Sequence, residues 1–134
     1  METTGHLLGK TELANGLIVT FHDQSRPIPG GRFQVRLLIT IPLEVKEIYF
    51  RECENPGQAF ERFTAEFGET VCFQQEKVRN FIAEDTVQSL LEEMMGEFLE
   101  TNRAYLANPG FAEKVVMKQN REWEEKSAWE KASR

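Results

Sequence analysis

The stretch Arg32 to Val45, RFQVRLLITIPLEV, constrains the chain more than any other. Phe33, Val35, Leu37, Ile39, Ile41, Leu43 and Val45 occupy every odd position, and the even positions are mainly polar apart from Leu38 and Pro42. Successive side chains of a strand point to opposite faces, so period two predicts a long strand with one buried face. A helix repeats every 3.6 residues and scatters this set around its axis. A strand that apolar on one side needs other elements packed over it.

Upstream, Asn15-Gly16 separates Leu7–Leu13 from Leu17–Asp23. Asn-Gly between apolar runs predicts a hairpin with a type I′ turn, because both residues tolerate positive φ. Next, Gln24–Gly31, QSRPIPGG, reads as an irregular wide loop. Its prolines lack amide donors, and its glycine pair permits backbone shapes that other residues avoid. Pro42 cannot donate to a ladder either, and implies an edge, a bulge or the end of pairing.

Asn55-Pro56 with Gln58 predicts a capped helix start, and Phe60, Phe63 and Phe67 fall on one face before the stop signal Gly68. That aromatic stripe reads as core. Thr70–Glu76 predicts another strand, with Val71 and Phe73 inward. Asp85 to about Ala107 predicts a long helix, opened by Asp85 and Gln88 as a capping box and striped by Val87, Leu90, Leu91, Met94, Phe98, Tyr105 and Leu106. Asn108-Pro109 starts a last helix carrying Phe111, Val115, Val116 and Trp123. A polar tail from about residue 127, with Trp129 as its large apolar side chain, is a fraying end or a docking peptide.

These elements predict an α+β fold: an antiparallel sheet of about four strands packed against three helices, in the order β-β-β-α-β-α-α. The length, 134 residues, predicts one domain spanning 1–134. The net charge of -6 argues against nonspecific contact with nucleic acid or an anionic membrane surface. No apolar run nears the roughly 20 residues of a membrane span. The N-terminus lacks the basic start and apolar run of a signal peptide. Cys53 and Cys72 form no CxxC pair and lie at no metal-ligand spacing with His6 or His22, so free thiols in a cytoplasmic protein are expected, with no metal or cofactor.

Chemistry-bearing residues concentrate between the second strand and the long one. Asp23, Ser25, Arg26, Arg32 and Arg36 are the candidate binding residues. Arginine's planar fork suits carboxylate or phosphate, and a loop held by ordered strands is well placed to present a site. The competing role is architectural: Asp23 and Ser25 holding turn amides, and Arg26 pairing with Asp23. His22, Asp23 and Ser25 are the residue types of a hydrolytic triad, but alternation points His22 away from Asp23. No catalytic residue is assigned.

Arg32-x-x-x-Arg36 and Asp23-x-Ser25 resemble fragments of the PilZ family of cyclic-dinucleotide receptors. In that family the arginine element comes first, and a glycine stands where this chain has Ile28. A β-barrel also differs from a chain that closes with two helices. The residues therefore predict a noncatalytic binding or protein-interaction module, its partner a protein or a small anionic ligand. The alternatives are a small enzyme using the 22–36 region and an oligomerisation domain forming homo-oligomers.

Overall fold

The computed structural model describes residues 6–133. Met1–Gly5, where a leader's basic start falls, and Arg134 lie outside them. The described chain is α+β, an antiparallel five-stranded sheet with three α-helices. The strands are β1 (His6–Glu12), β2 (Ile18–Asp23), β3 (Arg26–Ile28), β4 (Arg32–Glu44) and β5 (Thr70–Ala83). The helices are α1 (Pro56–Phe67), α2 (Val87–Leu106) and α3 (Phe111–Ala132), with 3-10 turns at Glu47–Phe50 and Glu84–Thr86. The described residues divide into two compact units, one formed by 6–42 with 72–108 and the other by 43–71 with 109–133.

In the first unit, β4 is the central strand. It pairs with β2 and β3, and also with β5. Val35, Leu37, Ile39 and Ile41 are buried and Phe33 is half-buried, so the alternation in the sequence marks the core face. The paired residues Phe21 and Ile39 share that face. Phe98 of α2 meets the Phe21 ring edge-on at 6.1 Å, which places α2 over the same side.

The 24–31 segment is not a wide loop. Thr20 pairs with Thr40 and Asp23 with Leu37 in β2, and Arg26 pairs with Gln34 and Ile28 with Arg32 in β3. The register is the same on both sides of Gln24–Ser25, so β3 continues the hairpin that β2 begins. Only Pro29, Gly30 and Gly31 remain for the turn, and both glycines have positive φ, 91° and 71°. Pro27 is tolerated for a geometric reason. The Gln24 amide donates to the Arg36 carbonyl, so ladder bonds fall at even positions of this pair and Pro27 lies between them. The same alternation aims the missing donor of Pro42 toward β2, whose pairing has already ended at Thr40. Pro42 thus lies beyond the end of pairing with β2, while β4 itself runs on to Glu44.

The Asn15-Gly16 hairpin forms, but not as a type I′ turn. Positive φ is confined to Gly16, at 86°. The Gly16 amide donates to Leu13 O, and the Leu13 amide to Leu17 O. That is a three-residue loop closed by a glycine bulge. Strand β5 runs to Ala83, seven residues beyond the expected end at Glu76. Helix α2 begins at Val87 after a 3-10 turn, and Asp85 and Gln88 form no capping box: Gln88 instead donates to Glu92. Tyr105, expected on the inward stripe, is exposed, while Leu91, Met94, Phe98 and Leu106 are buried.

In the second unit, Pro56 opens α1 as expected, but the Asn55 side chain makes no capping bond. Gly68 ends the helix at φ 90°. The phenylalanine stripe packs as core: Phe63 is fully buried, its ring centroid 5.5 Å from Phe50 and 4.7 Å from Phe67. Phe67 in turn meets Trp123 of α3 edge-on at 5.4 Å. Arg51 pairs with Glu113 at 3.0 Å, and that hydrogen bond holds the guanidinium pKa above its ordinary value. Residues 127–132 continue α3 without a break, and Trp129 is exposed.

Candidate functional site

The five candidate residues separate into two groups. Asp23 ends β2 opposite Leu37, on the core side of the sheet. Its Oδ1 accepts the Ser25 amide at 2.8 Å, closing an Asx turn. Ser25 Oγ then accepts the Arg36 amide at 3.0 Å. A side-chain oxygen thus takes the place of a main-chain carbonyl in the β2–β4 ladder, and the strand pair passes the interruption without losing register. These two residues satisfy the backbone where β2 hands over to β3.

Arg26, Arg32 and Arg36 lie together on the opposite face. Arg26 stands across from Gln34 and Ile28 across from Arg32, and alternation puts 32, 34 and 36 on one side of β4. Arg26 Nε donates to Gln34 Oε1 at 3.0 Å, and Gln34 Nε2 donates to Asn80 Oδ1 at 2.9 Å. This chain of side-chain bonds crosses three strands. Arg36 donates from the single nitrogen Nη2 to both oxygens of Glu76, each at 2.9 Å. Its Nε is shielded from solvent and has no hydrogen-bond partner among the described residues. Arg32 is exposed and makes no hydrogen bond or ion pair among them.

Asp23 and Arg26 do not pair, because they project from opposite faces. His22 lies opposite Leu38 and makes no hydrogen bond to Asp23 or Ser25 among the described residues, so no Ser–His–Asp relay is assembled. Nor do those residues gather three His, Cys, Asp or Glu side chains as metal ligands. Gln34, Glu76 and Asn80 belong to the arginine face but were not among the residues picked from sequence. The alternation of β5 past Glu76 is the signal that could have found the last of them.

The thiols are free and differ in setting. Cys72 is exposed, whereas Cys53 is partly buried. Burial, reinforced by the negative charge of Glu124, raises the Cys53 pKa, and Arg62 opposes the rise. No helix among the described residues is long and apolar enough to cross a membrane. No family model matches the chain, and no curated protein or solved structure matches it.

Proposed function

We propose that the chain is a small noncatalytic binding module whose contact surface is the arginine-bearing face of β3 and β4. One observation carries the reading: in a chain of net charge -6, Arg26, Arg32 and Arg36 occupy one face near one end of the sheet. Two of them are oriented by neighbouring side chains, and Arg32 is left exposed. Oriented guanidinium groups favour carboxylate or phosphate and reduce the ordering cost of binding. The partner is a small anion or an acidic patch on a protein. The free thiols support a reducing, cytoplasmic setting.

The test compares the wild type with Arg26→Ala and Arg32→Ala by calorimetric titration against phosphate, citrate and a nucleotide, and by copurification from lysate. Both variants lose binding while urea stability stays within about 0.5 kcal/mol. Retained binding in both removes this face as the contact surface. Turnover of a substrate panel, lost in the same variants, assigns the face to an enzyme instead.

A further inference from the structure

Strand β5 has β4 on one side, and its other edge carries no strand among the described residues. It runs for 14 residues, from Thr70 to Ala83, long for an exposed edge. Near its end, Phe81 has φ 61° and is 73% exposed. A bulky residue in the left-handed region is a true backbone outlier, and here no burial of the ring offsets the strain. Beside this edge a cleft of about 120 Å³ lies between β5 and α2. Lys77 and Arg79 line it from the strand, Glu97 and Thr101 from the helix, with Met94 and Phe98 buried beneath. Lys77 Nζ stands 6.0 Å from the Phe98 ring centroid, and Arg79 donates only to the neighbouring Val78 carbonyl. Neither cation is in an ion pair among the described residues.

We propose that the β5 edge accepts an extended acidic peptide as an added strand, one of its carboxylates entering the Lys77–Arg79 cleft and an apolar side chain resting on Phe81. Each part supplies what strand addition requires. The open edge offers main-chain donors and acceptors, and the cleft offers a pocket for an alternate side chain. Its two unpaired cations select a negative one, and their charge outweighs the single opposing carboxylate of Glu97 in the same lining. The exposed ring of Phe81 gives apolar contact near the end of the strand. This site lies on the helix-covered side of the sheet, and it does not depend on Arg26, Arg32 and Arg36.

The experiment uses the full chain and a fluorescein-labelled ten-residue peptide alternating Glu and Val, with a Lys-Val peptide as control. Fluorescence anisotropy shows saturable binding of the acidic peptide only, weakened roughly tenfold by Lys77→Gln and again by Arg79→Gln. Phe81→Gly weakens it too, while leaving the protein folded, so loss of binding is separated from loss of fold. Hydrogen exchange shows new protection at alternate amides of residues 74–83. Equal binding of the basic peptide, unchanged affinity in all three variants, or no protection along β5 overturns the proposal. A dimer whose β5 amides are already protected without peptide overturns it as well, because a second copy then fills the edge.

Discussion

The side-chain amide of Asn15 donates to the main-chain carbonyl of Leu106 at 2.8 Å, joining residues 91 positions apart. Leu106 is the last residue of α2, and its carbonyl is one of those a helix end leaves without an internal partner. The same Asn15 accepts the Leu17 amide through Oδ1 at 3.2 Å. One side chain therefore serves the β1–β2 turn and the C-terminal end of α2 together. Asn15→Ala keeps the turn, whose positive φ rests on Gly16, but leaves the helix carbonyl unmet. A loss of about 1 to 2 kcal/mol is expected in urea unfolding. Asn15→Asp retains the acceptor and loses the donor, and shows a similar loss.

Phe63 is fully buried between Phe50 and Phe67. Phe63→Ala is expected to cost about 3 to 5 kcal/mol, through lost transfer free energy and a residual cavity. Glu66→Ala, on the exposed side of α1, stays within about 0.5 kcal/mol. Equal effects from the two in urea unfolding contradict the packing of this helix.

Ser25 Oγ carries a ladder bond, while Asp23 and Arg26 stand on opposite faces. Ser25→Ala is expected to destabilise by about 1 kcal/mol, because the Arg36 amide loses its acceptor. A double-mutant cycle between Asp23→Ala and Arg26→Ala gives coupling near zero. The cycle between Arg36→Ala and Glu76→Ala gives up to about 1 kcal/mol, the range for a partly exposed ion pair.

Phe81 is strained and largely exposed. Phe81→Gly removes the Cβ that disfavours φ 61°, against the extra entropy of glycine in the unfolded chain. A net gain of up to about 1 kcal/mol is expected from thermal or urea unfolding. A marked loss of stability shows that the ring is packed rather than exposed.

Cys53 has its thiol pKa raised by burial, so it holds less thiolate than an unshifted thiol near pH 8. In Cys72→Ser and Cys53→Ser variants, the remaining Cys53 reacts more slowly with an aromatic disulfide reagent than the remaining Cys72. The same shift has a defined sign for stability. The folded state holds the Cys53 proton more tightly than the unfolded state, so this contribution is full below the unfolded thiol's pKa. It fades as pH rises through the higher folded value. Cys53→Ser removes that alkaline decline.

The arrangement of β4 was legible in the sequence because period two is a local property. Phe33 to Val45 declare a face whatever lies beside them, and helical spacing did the same for Phe63 and for Leu91, Met94 and Phe98. Three α-helices and an antiparallel sheet follow from those patterns. What alternation does not encode is which residue stands across the ladder. Pro27 became a strand residue because the register set by Gln24 and Arg36 placed it where no ladder bond is required. Arg26 found Gln34 and then Asn80 across three strands, rather than Asp23 three residues away, because the pleat separates Asp23 from it. Asn15 looked like a turn residue by its neighbours, yet its amide is committed to Leu106. Sequence by itself determined the core face of β4 and most of the inward helix stripes, Tyr105 excepted. The tertiary structure decided which polar groups meet, because a backbone or side-chain partner far along the chain is chosen by register and packing.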